Sequence, residues 1–317
     1  MITLSYVPVD FKIRFENGVE PKRNPNLAFA LRSVLGYNLR SMSCIAHKTT
    51  CPDCQYKGTC AYSYIFETIV SPENDIHTGT NRASHPYAFT HFDYTAIQKD
   101  CNYSEASFSM ALLGHAIDFL PYIYASFYKA GKTGLFKERI KYEILDVSIC
   151  GNSILIDENN LQMDFKRQQW KYLTRQDSNK HEHRQILVEL KSPMRFKAHG
   201  KYTIDFSEKD FMGALFRRLK TCCLLYGTFS DDFLAGNKYL LSESVTIKDK
   251  KLQWYDSTHY SARQKKAMEL GGILGSFMMQ GDFSDFDLAL LDFAKKFNAG
   301  KNTNFGLGQI DFWERNA

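Results

Sequence analysis

The order of predicted strands and helices most constrains this fold, because the same order occurs twice along the chain. Residues 2–15 alternate apolar and polar side chains as a half-buried strand does, and leucines at helical spacing follow from Leu27. Further strand-like segments lie at 61–70, at 107–113 and at 140–149, and one strand is poorly resolved within 87–97. With a helix-like segment at 116–130, the first half has the β-α-β-β-α-β order of the ferredoxin-like fold.

The second half predicts the same order again. Its predicted strands are 186–196, 245–255, 266–279 and 307–313, and its helices are 209–226 and 283–297. Ser207 is placed to cap the first helix, and Pro193 indicates that its strand lies at an edge or carries a bulge. We therefore predict an α+β protein of two tandem ferredoxin-like (RRM-like) domains, residues 1–180 and 186–317, without a sequence repeat between them.

A glycine-rich loop, GKNTNFGLG at 300–308, precedes the last predicted strand. Glycine permits positive φ and close approach of another group, and successive N–H groups in such a loop can bind an anion. The loop matches neither the Walker motif nor the dinucleotide fingerprint. We predict a phosphate-binding element made of Gly300, Lys301, Asn302, Gly306 and Gly308, the alternative being a simple turn before the strand.

Charge and hydropathy exclude some classes of protein and permit others. The 317 residues carry a formal net charge of +5, which permits an RNA partner without requiring one. The sequence shows no signal peptide and no apolar run long enough to span a bilayer, so we expect a cytoplasmic protein without a membrane partner. Basic groups that include Arg217, Arg218 and Arg263 are either phosphate contacts or ordinary solvated surface.

Four of the eight cysteines lie in one short stretch, which we expect to be an insertion at 44–60 of the first domain. Cys51 and Cys54 have the spacing of a zinc knuckle, and Cys44 and Cys60 would complete four thiolate ligands for a closed structural site. Without a secretory signal, such clustering favours metal or reduced thiols over disulfides. Structural zinc and unliganded thiols both remain open.

Several stretches resemble one known family. They include LRSVLGYNLRSMSC followed by CPDCQYKGTCAYSYIFET, then LKSPMRF, FRRLKTCCLLYG, RQKKAMELGGILGSF and NAGKNTNFGLG. In this order they are similar to the CRISPR-associated endoribonucleases of the RAMP superfamily, which process repeat RNA, in the branch with a cysteine-rich loop in the first domain. The likeness spans nearly the whole chain and implies the same two-domain fold.

The resemblance implies metal-independent cleavage, with no catalytic cofactor, in which a ribose 2′-hydroxyl attacks the adjacent phosphate. The products would be a 2′,3′-cyclic phosphate and a 5′-hydroxyl. In the family a catalytic histidine often follows the first helix, so we expect His47 as general base or acid, Lys48 for phosphate charge and Tyr37 as a secondary candidate. Alternatively, His47 is a surface residue or a metal ligand. Many members place a histidine before the Gly-Lys of the loop, but this chain has Asn298 there, which cannot shuttle protons.

Two other functions remain open from the sequence. The chain could be a non-catalytic RNA-binding RAMP subunit of a CRISPR effector complex, or a zinc-bearing scaffold that binds no RNA. For the endoribonuclease, the expected partners are CRISPR repeat RNA and, beyond it, CRISPR effector-complex or adaptation proteins. We expect a monomer or a homodimer.

Overall fold

The computed structural model describes residues 1–16, 27–69, 84–94, 104–173, 181–229, 239–256, 258–261 and 266–315. The chain forms two compact units. The first, here the N-terminal unit, comprises Ser5–Gln169. The second, here the C-terminal unit, comprises Trp170–Ala317 together with Met1–Leu4.

The N-terminal unit is built on one antiparallel sheet and two α-helices. The strands are β1 (Ile2–Phe15), β2 (Tyr87–Tyr94), β3 (Ser104–Leu113), β4 (Tyr142–Ile149), β5 (Asn152–Ser153), β6 (Leu155–Asp157) and β7 (Asn160–Leu161). The helices are α1 (Leu27–Ser43), α2 (Leu120–Thr133), a 3₁₀ helix (Gly114–Phe119) and a π-helical segment (Ser63–Glu67). The sheet order is β2-β3-β1-β4-β5, so the first and third long strands are central, as in a ferredoxin-like fold.

The core of this unit lies between the sheet and its helices. Phe11 on β1 stacks on Phe108 of β3 with ring centroids 4.8 Å apart, and both rings meet the edge of Phe127 on α2 at 5.3 Å. Leu31 and Leu35 on α1 are fully buried in the same cluster. Since burying such a side chain contributes about 1.5–3 kcal/mol, these contacts hold α1 and α2 on the sheet.

The C-terminal unit repeats this plan. The strands are β8 (Gln168–Tyr172), β9 (His181–Met194), β10 (Lys197–Ala198), β11 (Lys201–Tyr202), β12 (Thr228–Phe229), β13 (Thr246–Tyr255), β14 (Thr258–Ser261), β15 (Lys266–Glu269), β16 (Gly272–Ser284) and β17 (Ile310–Arg315). The α-helices are α3 (Glu208–Tyr226) and α4 (Asp285–Phe297). The main sheet is antiparallel in the order β13-β16-β9-β17, which again places the first and third long strands at the centre. The prediction of two ferredoxin-like folds is confirmed.

Both helices of this unit begin at capping boxes. Ser207 caps α3 by accepting from the Asp210 amide, while Asp210 accepts from the Ser207 amide, as the sequence predicted for Ser207. Ser284 and Asp287 form the same arrangement at α4. An N-cap of this kind contributes about 0.5–2 kcal/mol and fixes the residue at which the helix begins.

Two strand predictions are wrong. The segment predicted as a strand at 61–70 is helical over residues 61–67, with a π-helix over Ser63–Glu67, and β2 supplies the second long strand instead. The helical turn brings the Phe66 ring against Gly36 of α1, where a Cβ atom would come within 2.3 Å of the ring. The predicted strand 266–279 is divided into β15 and β16.

Pro193 lies in a bulge of the central strand β9 rather than at an edge. Leu190 pairs with Gly275 and Met194 pairs with Ile273, so three residues of β9 face one residue of β16. A bulge tolerates proline because the extra residues leave the regular ladder. Here it also redirects the chain toward the hairpin of β10 and β11.

Candidate functional site

The glycine-rich loop is fixed to the end of β9 by its own backbone. The Lys301 amide donates to the Arg195 carbonyl oxygen at 2.8 Å, and the Gly308 amide donates to the Pro193 carbonyl oxygen at 3.1 Å. The Ala299 amide donates to the Gly308 carbonyl oxygen at 2.9 Å and closes the loop. The position of Lys301 is therefore set by main-chain contacts with the bulged strand.

The glycines make this close approach possible. Gly300 has a φ of +77°, and a Cβ atom there would lie 2.7 Å from the Arg195 carbonyl oxygen. Gly308 has a φ of +75°, and its Cβ would lie 1.8 Å from the Ala299 carbonyl oxygen. Gly306 and Gly308 are buried, whereas Lys301 is exposed. The glycines shape the loop, and whether they also contact RNA stays a prediction.

Several amides of the loop already have partners within the protein. Besides those of Ala299, Lys301 and Gly308, the Phe305 amide donates to the Asn302 carbonyl oxygen and the Gly306 amide to that of Thr303. At these five positions the amides donate within the protein and do not form the expected row of solvent-facing N–H groups. The exposed cationic group of the loop is the ammonium of Lys301.

Three cations meet on one tyrosine ring beside this loop. Tyr202 in β11 pairs with Lys197 in β10. The Arg195 guanidinium carbon lies 4.1 Å from the Tyr202 ring centroid, and the ammonium nitrogens of Lys301 and Lys197 lie at 5.6 and 5.8 Å. Two of the basic residues that follow β9 thus converge on the loop. We call these four residues the Tyr202 cluster.

The charges of this cluster act on the tyrosine hydroxyl. Burial of Tyr202 raises the pKa of its phenol, but hydrogen bonding and charge from Lys301, followed by Arg195, lower the pKa by more, so the net shift is downward. The neighbouring cations lower this pKa because they stabilise the phenolate form of the side chain. Sequence reasoning missed Tyr202, although an aromatic residue among alternating basic ones (KAHGKY) was the available signal.

The predicted arginines occupy different environments. Arg217 on α3 is exposed, and burial of part of its side chain lowers its pKa. Arg218 is only 4% exposed, and its Nε and Nη2 atoms have no hydrogen-bond partner among the residues that the structure describes. Arg263 lies outside the described residues. An RNA contact by any of the three stays a prediction.

His47 and Lys48 lie side by side in a tight turn of the N-terminal unit. The Thr49 amide donates to the Ala46 carbonyl oxygen at 3.0 Å, which places His47 and Lys48 at the two central positions of the turn. Both side chains are exposed, and neither has a hydrogen bond or an ion pair to the part of the chain that the structure describes. Tyr37, on α1, is 76% exposed. All three predicted catalytic side chains are therefore accessible to a substrate.

Helix α1 gives this turn a rigid support. The buried Asn38 side chain donates to the Ser126 carbonyl oxygen of α2 at 2.8 Å. On another face, the Arg32 guanidinium lies 4.5 Å from the centroid of the Phe66 ring that packs against Gly36. These contacts fix the helix whose end leads directly into the turn of His47.

The four cysteines of the predicted zinc site, Cys44, Cys51, Cys54 and Cys60, line one pocket. All four are partly buried. Burial raises the pKa of the Cys51 thiol, and Glu67, Cys44 and Cys60 raise it further, so these thiols are close enough to interact. Within the described residues, however, no three His, Cys, Asp or Glu side chains have the arrangement of a metal site.

Comparison with known proteins agrees with this fold. A family model described as CRISPR-associated endoribonuclease Cas6 matches residues 188–310, and a second model, AF_1859_N, described as an N-terminal domain, matches residues 4–166. The solved structure "Cas6 (TTHB231) product complex" is 11% identical, covers 97% of this chain and 99% of its own, and has a TM-score of 0.52. "Partial Cas6-RT-Cas1--Cas2 complex" is 11% identical, covers 98% of this chain and 46% of its own, and has a TM-score of 0.51. A comparison with curated proteins returned no match.

Two ferredoxin-like units and a glycine-rich loop before the last strand define a protein of the RAMP type. The match of the Cas6 model to residues 188–310, together with this fold, relates the chain to the CRISPR-associated endoribonucleases. The match to an endoribonuclease model indicates an enzyme. Among the helices of the described ranges, none has the length and hydropathy that a membrane span requires.

Proposed function

We propose that this chain produces guide RNAs by cutting CRISPR repeat RNA through attack of a ribose 2′-hydroxyl on the adjacent phosphorus, without a metal ion. The hydroxyl loses its proton to a general base as its oxygen bonds to phosphorus. The bond from phosphorus to the 5′-oxygen breaks, and that oxygen takes a proton from a general acid. The products are a 2′,3′-cyclic phosphate and a 5′-hydroxyl.

The observation that carries this proposal is the turn of His47 and Lys48. It holds an imidazole and an ammonium next to each other, both exposed and without a partner in the described residues. An imidazole suits proton transfer because its pKa lies near neutral pH. An ammonium suits the charge that develops on the phosphate oxygens. We assign His47 the proton transfer, Lys48 the charge and Tyr37 a secondary role.

The partners follow from the same family. The RNA partner we propose is CRISPR repeat RNA, held in part by Lys301 of the C-terminal unit. A structure of similar fold is titled as an assembly of Cas6, RT, Cas1 and Cas2, in which the match covers 46% of the longer chain. We propose adaptation proteins of that kind as further partners of this chain.

Incubation with end-labelled repeat RNA tests the proposal. The wild-type protein in EDTA should cut the RNA once per repeat, and the 5′ fragment should resist phosphatase until acid opens its cyclic phosphate. Loss of a general base or acid typically costs about 10²–10⁴-fold in rate, so His47→Ala should lower single-turnover cleavage by that factor while RNA binding persists.

His115→Ala is the matched control for this experiment. His115 is another exposed histidine of the same unit, at the 3₁₀ helix, and it faces Asp118 at 3.4 Å. Its replacement should leave the rate unchanged. Undiminished cleavage by His47→Ala would remove His47 from the mechanism. RNA that is bound but never cut by the wild type would make the chain an RNA-binding subunit.

We further propose that the four cysteines bind a structural zinc ion. Four thiols are a complete donor set for tetrahedral zinc, and they already line one pocket. Zinc binding would hold the loop 44–60 in one conformation, and the turn of His47 lies within this loop. The zinc ion would therefore help to fix the position of that turn. It would supply no step of the cleavage.

A further inference from the structure

The Tyr202 cluster brings three positive charges together without a neutralising carboxylate. Neither Arg195, Lys197 nor Lys301 forms an ion pair with the described part of the chain. A single exposed lysine without a partner is ordinary, but three cations around one ring repel one another. An anion placed among them would remove that repulsion.

Several other cations of the C-terminal unit form ion pairs with carboxylates. Asp311 bridges Lys191 at 2.8 Å and Lys295 at 2.6 Å. Arg184 is paired with Glu314 at 2.7 Å and also with Glu182. Acidic side chains are thus available in this unit and neutralise basic groups on neighbouring strands. The Tyr202 cluster has no such neighbour within the described ranges.

The cluster is held in place by backbone groups instead of counter-ions. One guanidinium nitrogen of Arg195 donates to the Glu269 carbonyl oxygen at the end of β15. The Lys301 amide is bonded to the Arg195 carbonyl oxygen, and Gly300 allows that approach. Tyr202 and Lys197 are paired within the β10–β11 hairpin. The Arg195 guanidinium and the backbones that carry the other charges are therefore in position before any ligand arrives, which lowers the entropy cost of binding.

The chemistry of the cluster selects a phosphate group. The remaining donors of Arg195 can form a fork on two phosphate oxygens, and the lysines add charge from two directions. The Tyr202 oxygen interacts with two cations, so its own proton is left for an incoming acceptor. A stacked base fits less well, because the guanidinium already lies 4.1 Å from the ring centroid.

We infer that Tyr202, Arg195, Lys197 and Lys301 form a binding site for one phosphate group of the RNA backbone, with the tyrosine hydroxyl donating to a phosphate oxygen. This inference rests on the proposed function for the identity of the ligand. It adds the β10–β11 hairpin to the RNA-binding surface and assigns Tyr202 a direct contact.

Measuring RNA affinity at several salt concentrations distinguishes the charged contacts of this site from the neutral contact of Tyr202. The probe is a repeat RNA with 2′-fluoro riboses, which lacks the attacking hydroxyl and stays intact. Arg195→Gln should weaken binding about 10-fold or more at moderate salt. It should also make the slope of log K against log salt shallower by about 0.7, the value for one phosphate contact on a single strand. Tyr202→Phe should weaken binding severalfold with an unchanged slope, because the lost group is neutral.

Lys191→Gln is the matched control, because it removes an ammonium from β9, the strand that precedes Arg195, and this ammonium is already paired with Asp311. Its affinity and slope should match those of the wild type, and circular dichroism should show that all variants fold. If Arg195→Gln and Tyr202→Phe behave like Lys191→Gln while the wild type binds and cuts repeat RNA, the phosphate site is refuted and the proposed function stands. A wild type that neither binds nor cuts repeat RNA refutes the proposed function, and the RNA site with it.

Discussion

Replacement of Gly300 by alanine tests how the loop delivers Lys301. An L-residue at a φ of +77° costs about 1–2 kcal/mol. The new Cβ would also lie 2.7 Å from a backbone carbonyl oxygen that cannot rotate away, and overpacking of this kind costs about 1–3 kcal/mol. Reduced freedom of the unfolded chain returns about 0.4–1 kcal/mol. We therefore expect Gly300→Ala to lower the free energy of unfolding by about 1–5 kcal/mol.

Gly200 is a close control for this change. It lies in the same unit with the same φ of +77°, but nothing lies within 4 Å of its Cβ position. Gly200→Ala should therefore lose only the conformational part, about 0.5–1.5 kcal/mol after the same unfolded-state offset. Urea unfolding of both full-length variants, followed by tryptophan fluorescence, measures the difference. Equal losses would refute the argument that Gly300 is required for contact with Arg195.

Three further predictions concern single ionisable groups. A bound phosphate should raise the pKa of Tyr202, so RNA affinity should fall as the pH rises through the pKa of Tyr202 in the RNA-free protein. Absorbance at 295 nm follows this ionisation. Tyr202→Phe should abolish the pH dependence. Protein purified without chelator should contain about one equivalent of zinc per chain, and the variant Cys54→Ser should lose it. The control Cys150→Ser replaces an exposed thiol outside the pocket and should retain the zinc. Less than a tenth of an equivalent of zinc in the wild type would refute the site. Burial raises the pKa of Asp311, but its two lysine partners lower the pKa by more. Asp311→Asn should therefore reduce the free energy of unfolding at pH 7 and leave it unchanged once the pH is well below 3.8. Urea unfolding at both pH values measures the difference.

Local signals were sufficient for most long elements. The strand predicted at residues 2–15 is β1, because the alternation of buried and more exposed residues from Val7 to Phe15 reports one buried sheet face. The helix predicted to begin after Ser207 does so, because a serine followed by an aspartate three residues on satisfies the free amides locally. The twofold β-α-β-β-α-β order then left few alternatives to two ferredoxin-like units.

Local signals failed where a distant contact decides the backbone. The aromatic segment after Cys60 has the composition of a strand, yet it is helical because Phe66 packs into the space left by Gly36 on α1. Short apolar runs are ambiguous between strand and buried helix, and only the tertiary partner resolves them. A single sequence does not show which glycine will face which ring.

The loop of Gly300–Gly308 shows the same limit in a functional site. Positive φ and close approach were readable from the sequence, but the group that approaches was not. Groups that approach the loop closely are the protein's own carbonyls at Pro193, Arg195 and Ala299, and a phosphate contact by the glycines stays a prediction. The consequence is that the glycines act indirectly: they seat Lys301 beside a hairpin from a distant part of the sequence, where Arg195 and Lys197 already meet on Tyr202. The anion site we infer is thus made of side chains, and its position depends on a loop in which the amides of Lys301, Phe305, Gly306 and Gly308 are hydrogen-bonded within the fold.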